Sequence, residues 1–188
     1  EYGSKYNARL VAACDIWKER RDAAGKRLRE AYGAEPKLYN RLDDMLADQN
    51  LDAVIIATPD HAHAKMLKAA VESGKDVYCE KPMGNVLSEA NDALDACRKT
   101  GRVVQLGTQR RSYPKFRAAA RILQSGRIGD IIKVEQIFND YSPYRWAAKP
   151  EDLKALKETD TNWKEFLMGK PDRLARATGL DMVNVGWR

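Results

Sequence analysis

The strongest constraint on the fold is a rhythm of short apolar runs, each closed within a few residues by Gly, Pro or Asp and followed by a helical stretch. Arg9-Leu-Val-Ala-Ala-Cys14 reads as a buried strand ending at Asp15, and a polar helix follows from about Trp17 to Tyr32, closed by Gly33. Lys37-Leu-Tyr39 is a short strand candidate and Leu42 to Gln49 a short helix. Asp52-Ala-Val-Ile-Ile-Ala57 is the clearest strand, a continuous apolar run of the kind buried on both faces. Thr58-Pro59 breaks it. Asp60 is a plausible N-cap for a helix with Ala62, Met66, Ala69 and Ala70 on one face, stopped by Gly74. Val77 to Cys79, Ser88 to Thr100 and Arg102 to Leu106 extend the series as strand, helix and strand. A β-α-β-α-β alternation with short connections implies an α/β fold built on a doubly wound parallel sheet.

After Gln109-Arg110-Arg111 the pattern changes. Pro114 to Ser125 reads as a helix, and Ile131 to Phe138 alternates apolar and polar as a half-exposed strand would. From Asp140 onward the chain is rich in Pro, Trp and charge and shows little periodicity. The expected organisation is one domain over 1–111 and the start of a second α/β domain over 112–188.

The surplus of six positive charges invites a nucleic-acid reading, but Lys and Arg are interleaved with 27 acidic residues, as in Lys18-Glu19-Arg20-Arg21-Asp22. Such runs form solvated helix faces, so a nucleic-acid partner is not expected. No stretch approaches the roughly 18 apolar residues of a membrane span. Three cysteines, Cys14, Cys79 and Cys97, are odd in number and lack metal-like spacing; a disulfide framework is not expected. The expected compartment is the cytoplasm, with an exported form left open because the chain begins at Glu1 rather than Met.

The chemistry-bearing residues gather at strand ends, where an open parallel sheet holds its ligands. Asp15, at the end of the first strand, is either a helix N-cap or an acceptor for the adenosine ribose hydroxyls of a dinucleotide. The second role favours NAD, because the carboxylate repels a 2′-phosphate; Arg20 and Arg21 nearby keep NADP possible. Thr58-Pro59-Asp60-His61-Ala62-His63 follows the strongest strand, and its proline leaves that strand end open for a flat cofactor. His61 and His63 are two apart, whereas chelation along a helix wants three or four, so no metal is expected. Asp76-Val-Tyr-Cys-Glu80-Lys81-Pro82 delivers a lysine to the same edge beside a carboxylate and ahead of a ring-locked turn, suited to donating a proton in place. Gln109 and Arg110 follow the last strand end and are either a linker or a grip on a carboxamide, hydroxyl or anionic group.

Taken together, the strand ending at Asp15, Ala57-Thr-Pro-Asp-His61-x-His63, Gly74-Lys-Asp-Val-Tyr-Cys-Glu80-Lys81-Pro82, Gly107-Thr-Gln109-Arg110-Arg111 and Ser125-Gly-Arg-Ile-Gly129 resemble the Gfo/Idh/MocA family of oxidoreductases. Trp163 to Gly169 also resembles a Trp-containing segment that members carry before their substrate-domain sheet. The resemblance implies a Rossmann domain binding NAD(P), a second domain whose open sheet mediates homo-oligomerisation, and a sugar, polyol or related carbonyl substrate. It implies that Asp15 contacts the adenosine ribose and that Thr58, Pro59 and His63 line the nicotinamide side. Glu80 would brace the cofactor region. Lys81, with a cis Lys81–Pro82 bond, would bind cofactor and hold the reacting oxygen of the substrate, and Gln109 and Arg110 would reach cofactor or substrate. No G-x-G-x-x-G occurs, so that turn is expected upstream of Glu1; the Asp-x-x-x-His segment that supplies the family's catalytic histidine is expected beyond Arg188.

The expected reaction is hydride transfer between nicotinamide and a carbinol carbon. Two rivals share these motifs. One is a glycosidase that oxidises its sugar transiently with tightly held NAD; the other is a non-catalytic dinucleotide-binding protein on the same fold.

Overall fold

The computed structural model describes residues 7–137 and 161–169. Element order follows the alternation: β1 (Ala12–Cys14), α1 (Lys18–Tyr32), β2 (Lys37–Tyr39), α2 (Leu42–Leu46), β3 (Ala53–Ile56), α3 (His63–Glu72), β4 (Asp76–Glu80), α4 (Leu87–Thr100), β5 (Val104–Gly107) and α5 (Pro114–Gln124). A short helix, α6 (Trp163–Leu167), lies much later in the chain. Every strand pair among the described residues is parallel. β1 pairs with β2, and β3, β4 and β5 form a second sheet in that order. Among the described residues the two sheets share no hydrogen bond. The result is a Rossmann-like arrangement of parallel strands with flanking helices.

Local chemistry explains the helix ends. Gly33 and Gly101 take left-handed φ values of 65° and 63°, which a residue with a Cβ adopts at a cost, and each returns its N–H to the last turn. Asp60 does not act as the side-chain cap expected of it. It opens a 3-10 turn, Asp60–Ala62, and α3 starts only at His63, because Pro59 sets the backbone direction and Ala62 N–H bonds Pro59 O at 2.9 Å.

The core lies on one face of the three-stranded sheet. Val54, Ile56, Val77 and Cys79 meet Ala64, Leu67, Ala70 and Val71 of α3 and Ala93 and Ala96 of α4. The alanines let the two helices pack closely on each other as well as on the strands. The register puts Ile55, Tyr78 and Gln105 in one row on the opposite face. There Ile55 is 60% exposed, so the expectation that β3 is buried on both faces fails among the described residues. Both helices packed on this sheet lie on the Val54 side, and periodicity within one strand cannot count the layers above it.

Residues 131–137 keep their apolar–polar alternation but pair with no described strand, and Ile132 is 96% exposed. A strand needs a neighbour to take up its N–H and C=O groups, and none of the described elements offers one. Phe138 and most of the second domain expected over 112–188 fall outside the described residues. No helix among the described residues is long and apolar enough to cross a membrane.

One polar knot ties the two sheets' connections together. Asp48 accepts from Lys37 Nζ and Tyr39 OH, both at 2.8 Å, and from the backbone and side-chain nitrogens of Asn50, both at 2.9 Å. The Asp48 carbonyl accepts from Lys75 Nζ, whose residue is 3% exposed. Lys37 foremost, then Asn50 and Tyr39, hold the Asp48 carboxyl well below the usual carboxylate range. Asp48→Asn is therefore expected to lower the melting temperature at about pH 7. Because the folded-state value is depressed, the stabilisation is present above the unfolded carboxyl value of about 3.9 and is lost as pH falls below it. The gap between wild type and variant should begin to narrow below about pH 4 and close only as pH falls through the depressed folded-state value, in thermal unfolding followed against pH. A gap independent of pH would assign the effect to shape rather than charge.

Candidate active site

Parallel pairing brings three strand ends to one edge. Ile56 lies opposite Cys79 and Glu80 opposite Gly107, so the turns at Thr58-Pro59, Lys81-Pro82 and Thr108-Gln109 leave the sheet side by side. This is the carboxyl edge that the spacing of the motifs predicts.

Glu80 organises the middle of it. Its Oε2 accepts from the Lys81 backbone N–H at 3.2 Å and from Gln109 Nε2 at 3.4 Å, and Tyr78 OH donates to Oε1 at 3.5 Å. Gly107 gives room for this cluster: a Cβ there would lie 2.7 Å from Tyr78 Oη and 3.2 Å from Glu80 Oε2. The Lys81–Pro82 peptide is cis, as the resemblance implies. Lys81 is exposed, and its ammonium makes no hydrogen bond or ion pair with another described residue. Arg110 is exposed in the 3-10 turn Gln109–Ser112.

His63 is placed differently from its expected position along the nicotinamide. Its residue is 1% exposed, with Nδ1 2.6 Å from Pro82 O and Nε2 2.7 Å from Thr58 O. The imidazole is enclosed and both nitrogens face backbone carbonyls, so it joins the β3 and β4 turns and presents nothing to a ligand. Thr58 Oγ1 donates to Met66 Sδ at 3.4 Å, and Pro59, half-buried, has no N–H to offer.

Asp15 sits across the gap, at the end of β1. Its Oδ1 accepts from Trp17 N–H at 2.8 Å, a turn that holds the carboxylate in place, while Oδ2 has no partner among the described residues. Asp15 is not the helix N-cap, a position taken by Trp17 without a side-chain bond; one carboxylate oxygen instead shapes the turn leading into α1. Arg21 Nη1 donates to Asp15 O at 2.6 Å, and the Arg20 guanidinium lies 5.1 Å from the Trp17 ring centre. Both guanidinium groups are engaged locally.

Burial disfavours the thiolate form of all three cysteines. Burial, then the neighbouring Asp15 and Glu80 carboxylates respectively, push the Cys14 and Cys79 thiols up to about 11. All three cysteines are free. Among the described residues no three metal-capable side chains converge.

Sequence reasoning singled out His61 but missed its partner, and it missed Lys65 altogether. His61 Nε2 lies 2.7 Å from Phe166 O, and Lys65 Nζ donates to Met168 O at 2.7 Å. Their partners are more than 100 positions away, and no local pattern signals such a contact.

Residues 2–108 match a family model described as an oxidoreductase family with an NAD-binding Rossmann fold, GFO_IDH_MocA. The inositol 2-dehydrogenase of Salmonella typhimurium is 35% identical over 126 residues, covering 66% of this chain and 36% of that protein. The D-apiose dehydrogenase of Paraburkholderia graminis is 31% identical over 177 residues, covering 91% of this chain and 46% of that protein. The crystal structure of scyllo-inositol dehydrogenase from Lactobacillus casei with bound NAD(H) and scyllo-inositol is similar at a TM-score of 0.56 and 31% identity, over 65% of this chain and 35% of that one. The chain thus spans less than half the length of these relatives.

Proposed function

The chain belongs to the Gfo/Idh/MocA family of oxidoreductases, whose NAD-binding Rossmann fold it carries, and from that premise we propose that it is the cofactor-binding part of an NAD-dependent dehydrogenase acting on a sugar, polyol or related carbonyl compound. The observation that carries this reading is the alignment of three strand ends, with an uncommitted Lys81 ammonium at the middle one and an uncommitted Asp15 oxygen at the far side.

The residues present fit a dinucleotide. Asp15 Oδ2 would accept the adenosine ribose hydroxyls, and the Thr58-Pro59 turn would leave a flat passage along the edge. When bound, the nicotinamide supplies the hydride chemistry. Lys81 would donate a hydrogen bond to the reacting oxygen of the substrate and hold its proton. Glu80 would fix the Lys81 backbone and, through Gln109, the neighbouring turn. His63 would act only through the two turns it joins. Arg110 would meet an anionic or hydroxyl-rich group at the rim, and residues 112–188 would begin the substrate domain. NAD is favoured over NADP because Asp15 repels a 2′-phosphate while Arg20 and Arg21 are already engaged.

Calorimetric titration of NAD and NADP into the full-length protein tests this. NAD should bind more tightly than NADP, and Asp15→Ala should weaken NAD about tenfold or more through loss of charge-assisted hydrogen bonds. Failure of either cofactor to bind the full-length protein would overturn the proposal.

A further inference from the structure

Residues 161–169 lie across the ends of three strands. Asn162 N–H bonds Ile16 O at 3.1 Å, and Thr161 forms an antiparallel bridge with Trp17, one and two residues beyond Asp15 respectively. Arg41, two residues past β2, reaches Glu165 Oε1 at 2.7 Å. His61, past β3, places Nε2 2.7 Å from Phe166 O and sets its ring edge-on to the Phe166 ring at 4.8 Å. Lys65, in the first turn of α3, donates to Met168 O.

These tethers are a built docking rather than a chance contact. The last carbonyls of a short helix have no partner within it, and here two of them meet nitrogens from a different part of the chain. Asn162 caps the other end, accepting from Glu165 N–H at 3.3 Å. Trp163 and Phe166 stack at 4.8 Å between the two ends. A hollow of about 370 Å³ lies between this segment and Leu42-Asp43 at the start of α2, within the range of small-molecule sites. Its lining mixes apolar Leu42, Leu167 and Met168 with Lys164 and with the Asp43 and Glu165 carboxylates, both paired with Arg41.

We propose that residues 161–169 form a strap that walls the adenosine half of the dinucleotide site, and that His61, Lys65 and Arg41 are the positioning residues that hold it there. The proposal rests on the reading of this edge as a dinucleotide site. The strap begins beside Asp15, the residue assigned to the adenosine ribose, and ends beside the turn after β3. It encloses the purine nucleoside end of the ligand and leaves the Lys81 turn outside its span.

Two measurements on the full-length protein test it, with AMP, nicotinamide mononucleotide and NAD as probes. Hydrogen–deuterium exchange of the wild type should slow at 161–169 when AMP or NAD is added, and stay unchanged with nicotinamide mononucleotide. The double variant His61→Ala, Lys65→Met should weaken AMP and NAD about tenfold while nicotinamide mononucleotide binds as before, a split that general loss of structure would not produce. Exchange at 161–169 that is unchanged or faster with AMP, in a protein that still binds NAD, would overturn the strap and leave the dinucleotide site standing. Absence of NAD binding by the wild type would overturn the dinucleotide reading itself.

Discussion

Lys81→Met in the full-length enzyme is expected to lower kcat by about 10²- to 10⁴-fold, the range for losing a positioned proton donor, with little change in NAD affinity. The expectation follows from what holds Lys81 and what does not. Its backbone is held by the Glu80 carboxylate, so the side chain leaves the sheet edge in a set direction. Its ammonium has no partner among the described residues and is exposed at the middle of three aligned strand ends. Methionine keeps most of the stem and removes the charge and the donors. Steady-state kinetics with calorimetry separate the roles. A fall in kcat at constant NAD affinity supports proton handling, whereas a matching loss of NAD affinity would make Lys81 a cofactor ligand and nothing more.

His63→Ala is expected to cost about 2–4 kcal/mol of folding stability, because it removes the imidazole that bridges Thr58 O and Pro82 O, one of which it can bond through its N–H, and opens a cavity in its place. His63→Leu separates the two causes. Leucine restores most of the volume but no hydrogen bond, so a variant still destabilised by about 1–3 kcal/mol assigns the effect to the lost hydrogen bond. Denaturant unfolding measures both; a leucine variant as stable as wild type would show that the imidazole only fills space. The same substitutions should lower kcat, since His63 joins the turn after β3 to the turn that carries Lys81.

The legible part of the site is the part that follows from strand ends. Asp15, Thr58, Glu80, Lys81 and Gln109 could be placed on one edge from sequence, because parallel strands joined by helices all finish on the same side. The cis bond before Pro82 was implied by resemblance to a family, not by any propensity of the local residues. The family resemblance implies a nicotinamide-side place for His63 because it belongs to the same motif as Thr58 and Pro59, although a purely structural role is the stronger reading of the residue itself. Its enclosure depends on Pro82, which lies 19 residues away on another turn. The contacts of His61 and Lys65 carried no readable signal, since their partners arrive from more than 100 residues downstream.

The order of strands and helices, the parallel pairing, the glycine end at Gly33 and the edge at which the chemistry gathers all follow from the amino-acid sequence alone. These depend on hydrophobic period, turn residues and short connections, all of which act over a few neighbouring positions. Only the tertiary structure decided that one face of the β3–β4–β5 sheet is left open among the described residues, that Asp48 gathers Lys37, Tyr39, Asn50 and Lys75, and that His63 points inward. Only it brought residues 161–169 across the ends of β1, β2 and β3. Each of these outcomes is set by which distant groups can satisfy a buried carbonyl, a carboxylate or an apolar surface, and that matching is made by packing rather than by local order.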